Sequence, residues 1–141
     1  MASIHNNIRT ALEVKLSNVD GLPTIAFENV SFSPTTGTSY VQCQYIPTSR
    51  RPAVRGLNPQ QRYDGVFQVI IYTPEGNGPA TADDLANKVT EAFEATTKIQ
   101  TVNSDDETIT VSIDYAERQQ GFLDSPWYYV PINIGWYIYN T

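Results

Sequence analysis

Residues 65–97 read GVFQVIIYTPEGNGPATADDLANKVTEAFEATT, a strand, a tight turn and an amphipathic helix in one stretch. Val66 to Tyr72 is a dense run of β-branched and aromatic residues of strand length. Pro74, Gly76, Asn77, Gly78 and Pro79 stop it, because they supply fixed or positive φ and remove ladder donors. Thr81, with Asp84 three residues on, has the form of a helix N-cap with acidic charge at the positive end of the dipole. Ala82, Leu85, Ala86, Val89, Phe93 and Thr96 recur at helical spacing and predict one face laid on a sheet.

Upstream, residues 3–19 predict a helix capped by Ser3, with Ile4, Ile8, Ala11, Leu12 and Leu16 as its apolar stripe and Asp20 to Pro23 as its stop. Thr24 to Phe27 is a short strand candidate, and residues 28–39 are loop-like. Tyr40 to Thr48 alternates, with Val41, Cys43 and Tyr45 inward. Residues 48–63 carry no periodic pattern and read as a long loop between paired strands, a length uncommon in compact domains unless functional. Downstream of the helix, a turn at 103–106 precedes an alternating strand from Glu107 to Tyr115, a second loop runs from Ala116 to Pro126, and WYYVPINIGWYIYNT closes the chain. Pro131 removes a ladder donor from that last strand and predicts an edge position or a bulge. The expected fold is α+β: residues 1–141 as a single domain, a mostly antiparallel or mixed sheet of four to five strands, and two helices packed on one face.

Composition fits that fold. A chain of 141 residues is of single-domain size and can bury about two thirds of its unfolded surface. Its hydrophobic share of 40% with nine Tyr is globular, and Tyr suits half-buried sheet faces and interfaces. A net charge of −6 argues against non-specific nucleic-acid or membrane binding by the whole surface. The charge is uneven, since no acid occurs between Glu28 and Asp64 while Arg50, Arg51, Arg55 and Arg62 do. MASIHNNIRT lacks the charged leader and apolar core of a signal peptide, and no apolar run approaches the roughly 20 residues of a membrane span, so a soluble protein made where it is used is expected.

Few residues could carry chemistry. Gly76-x-Gly78-x-x-Thr81 lies where a phosphate-cradling loop belongs, but the third glycine is missing and Asp83 and Asp84 crowd the helix start. His5 is the single histidine and Cys43 the single cysteine, which leaves no disulfide within the chain, no cysteine zinc site and no nucleophile–base pair by inventory. Asp105-Asp106-Glu107 lacks the spacing and glycine of a calcium loop and reads as a solvated tip. No catalytic, cofactor-binding or metal residue is therefore expected, and the chain reads as a non-enzyme without cofactor. Two surfaces remain. Arg50, Arg51, Arg55 and Arg62 suit an arm that docks on an acidic partner or on phosphates. Trp127, Tyr128, Tyr129, Tyr137 and Tyr139 cannot all face the core, because alternate strand residues point opposite ways, and they suit a subunit interface.

The helix-first start, the Tyr45-Ile46-Pro47 strand end, the block GVFQVIIYTPEGNGPATADDLANKV and the closing Tyr-x-Val-Pro-Ile at Tyr128 to Ile132 together resemble the tail terminator proteins of long-tailed bacteriophages, also called minor tail or tail completion proteins. The resemblance covers nearly the full length and is most specific from Gly65 to Phe93. It implies a virion structural protein whose homo-oligomeric, hexameric ring caps the tail tube, stops its polymerisation and presents a surface to the head-side connector. It also implies assembly in the host cytoplasm, a place at the head–tail junction, and DNA passing through the ring without sequence-specific binding or membrane contact. A ring needs a heterologous interface repeated by rotation, which the tyrosine-rich strand suits. The alternatives are a head-side stopper or other head–tail joining protein and, from another class, a small ligand-binding α+β domain.

Overall fold

The computed structural model describes residues 4–35, 37–52, 61–76, 78–102 and 108–140. Ser3, Arg55, Asn77 and the turn expected at 103–106, with Asp105, Asp106 and Glu107, lie outside the described residues. In chain order the elements are α1 (Ile4–Ser17), β1 (Ile25–Ala26), β2 (Tyr40–Pro52), β3 (Gln61–Pro74), α2 (Ala80–Ala92), β4 (Lys98–Val102), β5 (Thr108–Arg118), β6 (Phe122–Asp124) and β7 (Trp127–Asn140). They form one α+β domain around a sheet ordered β1-β2-β3-β7-β5-β4, with β6 paired to the start of β7. Among the described strands only the β1–β2 pair is parallel. The sheet has seven strands rather than the expected four to five. The additions, β4 and β6, are five and three residues long, too short for a periodic signal to emerge.

One face of this sheet is the core. Val41, Cys43 and Tyr45 of β2, Phe67, Val69 and Ile71 of β3, Val130, Ile132, Ile134 and Trp136 of β7, and Val111 and Ile113 of β5 are buried in one cluster. Ile8, Leu12 and Leu16 of α1 and Leu85 and Val89 of α2 join the same cluster, so both helices lie on one face as the periodicity predicts. Register aligns the inward positions row by row, as in Tyr45, Phe67 and Ile134.

Two glycines make room for large rings. Gly65 of β3 lies opposite Trp136 of β7. The Trp136 ring crosses over Gly65 and stacks on Tyr45 of β2, with centroids 5.3 Å apart and planes 9° from parallel. A Cβ at Gly65 would stand 2.3 Å from the indole and 2.6 Å from the Ile46 carbonyl oxygen. On the opposite face a bulge between Ile113 and Tyr115 lays the Tyr115 ring on Gly135.

Four local expectations change. First, α2 starts at Ala80 after Pro79, with no side-chain cap, and Thr81 lies inside its first turn. The Asp83 N–H donates to the Pro79 carbonyl at 2.9 Å, a start that proline's fixed φ favours. Second, Thr96 is not on the helix face. It sits past the helix end at φ 74°, and its N–H donates to the Ile113 carbonyl at 2.9 Å, bringing the chain beside β5.

Third, the strands reach well into the 48–63 segment read as loop: Ser49 pairs with Asp64, Arg50 with Tyr63, Arg51 with Arg62 and Pro52 with Gln61, beyond a bulge after Pro47. Residues 47–52 are exposed, so backbone pairing continues where no hydrophobic alternation marks it. Fourth, Pro131 sits in a central strand, between β3 and the β5–β6 side. Its carbonyl accepts from the Gln119 N–H at 2.8 Å. The N–H it lacks would point the same way, into the gap where β5 has ended and β6 has not begun.

The outer edge of β2 is blunted. The Val41 N–H donates to the Thr24 carbonyl at 2.9 Å, but further along the Tyr45 N–H donates to the Glu28 carboxylate at 3.0 Å. Two residues later Pro47 has no N–H to offer on that side.

Candidate functional site

With both helices on one face, the other sheet face is left without a helical layer. Alternation places Tyr40, Gln42 and Gln44 of β2, Gln68, Ile70 and Tyr72 of β3, and Tyr129, Asn133, Tyr137 and Tyr139 of β7 on it. Register gathers aromatic rings into a row across the strands: Phe122, Tyr129, Tyr72 and Tyr40 are successive partners. Tyr40 and Tyr72 stack at 4.5 Å, Tyr72 and Tyr129 lie 5.6 Å apart, Tyr129 and Phe122 lie 5.6 Å apart, and Phe32 extends the row 5.1 Å from Tyr40. The row is half in water, with Phe122 47% and neighbouring Leu123 67% exposed. Burial pushes the Tyr40 and Tyr72 phenols above their ordinary range, so both stay neutral donors at physiological pH.

Ten residues away along β3, on the order of 33 Å, the same face changes chemistry. Arg62 donates from Nε to Asp64 at 2.9 Å and from a terminal nitrogen to the Tyr139 hydroxyl at 3.0 Å. Its guanidinium lies 4.4 Å from the Tyr137 ring centre. The hydrogen bond to Asp64 raises the Arg62 pKa further, against the opposing pull of burial. Arg51, opposite Arg62 in the ladder, is 3.8 Å from the same carboxylate with its side chain 66% exposed. Arg50 turns to the helix-side face and lies over the Tyr63 ring at 5.5 Å.

The structure therefore splits both surfaces singled out in the sequence. Arg51 and Arg62 share the open face, Arg50 does not, and all three are on paired strand rather than on a loop. Of the aromatic strand, Tyr129, Tyr137 and Tyr139 lie on the open face. Trp127 is on that face too but only 9% exposed, edge-on to Tyr40 at 5.2 Å, while Tyr128 packs against the core. Phe32, Tyr40, Tyr72 and Phe122 complete the aromatic row and escaped sequence reading, because only the register reveals that they meet.

His5 and Cys43 are absorbed by packing. His5 Nδ1 is 2.7 Å from the Tyr45 hydroxyl, and its ring meets Tyr45 and Tyr63 edge-on. Burial, with the Glu13 carboxylate adding to it, pushes the Cys43 thiol up to about 12. At pH 8 the native thiol is expected to react with a soluble disulfide reagent roughly a thousandfold more slowly than the unfolded chain, with reactivity recovered in denaturant; labelling at the free-thiol rate would contradict this packing. Among the described residues no group of three or more His, Cys, Asp or Glu is arranged to hold a metal, and no helix is long and apolar enough to cross a membrane.

Grooves open on the surface beside β2 and between α2 and β5. One, of about 350 Å³, runs beside β2 between Phe27, Glu28, Val30, Phe32 and Tyr40. The other, of about 530 Å³, lies between α2 and β5 and is lined by Asn87, Thr90, Glu91, Glu94, Tyr115 and Glu117. The first groove also reaches Cys43 beside Glu28, but burial keeps that thiol protonated.

A family model described as phage tail terminator protein matches residues 7–136 of the chain. Thirteen chains of solved structures are similar to it. One superposes with a TM-score of 0.74 at 23% identity, covering 99% of this chain and 98% of its own, a likeness of fold. No curated protein matches.

Proposed function

The chain belongs to the phage tail terminator protein family, and from that premise we propose that it is a non-enzymatic subunit of a homo-oligomeric, hexameric ring that caps the tail tube. In this role it stops tube polymerisation and offers a docking surface to the head-side connector at the head–tail junction of the virion. The observation that carries the reading is the family match over residues 7–136. An open sheet face with an aromatic row at one end and arginines at the other supports it, since a half-exposed, ring-rich face suits protein contact. Tyr129, Tyr137 and Tyr139 are the contacts offered to a neighbouring subunit, and Arg50, Arg51 and Arg62 those offered to an acidic protein surface. An acidic chain of net charge −6 would let DNA pass without adhering.

The test is substoichiometric addition to polymerising tail tube protein, with tube lengths and ends scored by electron microscopy. Shortened tubes bearing a terminal ring are expected. Unchanged tube lengths with bare ends would overturn the reading.

A further inference from the structure

We propose that the arginine-bearing end of β2–β3, with Arg50, Arg51 and Arg62, docks on a second copy of this chain, against Glu91, Glu94 and Glu117 beside its α2–β5 groove. The inference rests on the ring reading above and names the contact that would close it.

The arginine end carries more charge than it neutralises. Among the described residues Asp64 is the one carboxylate paired with this end, and it is drawn on by Arg62, Arg51 and the Ser49 hydroxyl together, while Arg50 is in no ion pair. Arg62 is fixed by Tyr137, Tyr139 and Asp64, so it presents a preformed cation. Arg50 and Arg51 stand exposed on opposite faces of the same strand end, which makes the hairpin a basic wedge.

The complementary surface is on the same chain at the far side of the sheet. Among the described residues Glu91, Glu94 and Glu117 are in no ion pair, because Arg118 is taken by Asp83 and Lys88 lies against Gly21. They flank a groove of about 530 Å³ whose floor is the part of β5 beyond Ser112, where pairing with β4 has stopped. Three strand spacings and the six residues of β7 between Tyr139 and Asn133 separate the two surfaces, on the order of 25 Å. One copy therefore cannot satisfy itself. A basic patch at one side of a sheet and an acidic groove at the other give a head-to-tail contact, the kind that repeats by rotation.

The test reverses each side separately. R50E/R51E and E91K/E94K/E117K are made in the full chain, Arg62 being left in place because it belongs to the folded sheet. Thermal melting checks that each variant folds, and sedimentation with tail-tube capping reads assembly. Each variant alone is expected to self-associate roughly tenfold to a hundredfold more weakly than the parent. Mixing the two restores assembly in alternating order, since each reversed hairpin then faces a reversed groove. A parent that assembles while both variants assemble equally well would overturn this contact and leave the ring standing. A parent that stays monomeric both free and on tube ends would overturn the ring, and this contact with it.

Discussion

Replacing Gly65 with alanine is expected to destabilise the domain by about 3 kcal/mol and to lower its Tm by on the order of 10 °C. The added methyl would meet the Trp136 ring at 2.3 Å and the Ile46 carbonyl oxygen at 2.6 Å. Neither neighbour can yield cheaply. The Trp136 side chain is 1% exposed and held against Tyr45, and the Ile46 oxygen belongs to the backbone of the adjoining strand. Relief would require β2 and β3 to part or the indole to leave its stack, and a close-packed interior permits neither without loss. Thermal and urea unfolding measure the cost; an alanine variant as stable as the parent would refute the stack over Gly65.

Trp136→Ala is expected to cost about 4 kcal/mol, the larger of the two effects. The ring heads the largest fully buried side chains and bridges β7, β3 and β2 on the inner face. Trp136→Phe is expected to cost less than half as much. The indole Nε1 is buried without a hydrogen-bond partner among the described residues, so phenylalanine forfeits no bond and removes an unpaired donor. The two sites are coupled. In a Trp136→Ala background Gly65→Ala should lose most of its effect and keep the part owed to the Ile46 oxygen, giving an interaction energy of about 2 kcal/mol. Additive losses in that cycle would mean that the ring and the glycine do not share the space.

Much of this architecture is readable from periodicity. Phe67, Val69 and Ile71 of the Val66–Tyr72 run, Ile8, Ala11, Leu12 and Leu16 of α1 and the Ala82, Leu85, Ala86, Val89 face each landed in the core because burial on one side imposes a pattern on the residues. What escaped were features that leave no such pattern. The paired end at 49–52 is exposed on both faces, β6 is three exposed residues, and Thr96 turns the chain with a β-branched residue at positive φ. Pro131 misled for a related reason: a proline is excluded from a central strand only where a donor is needed, and that depends on where the neighbouring strands stop. The candidate surfaces were half legible. Residue type exposed the arginines and tyrosines, while the pairing register decided which of them share a face and recruited Tyr40, Tyr72 and Phe122.

The blunted margin of β2 bears on how copies of this protein can meet. Fibrils grow when each added molecule offers a fresh margin to the next. Here the Glu28 carboxylate caps one amide and Pro47 withholds another, so a strand laid along β2 finds no continuous row of donors. At the other end of the described sheet the margin is β4, only five residues long. Open-ended backbone zippering along β2 is thereby disfavoured, and larger assemblies are left to side-chain recognition, which stops when the surfaces are used up. A protein proposed to halt another's growth is, by the same design, protected from runaway growth of its own.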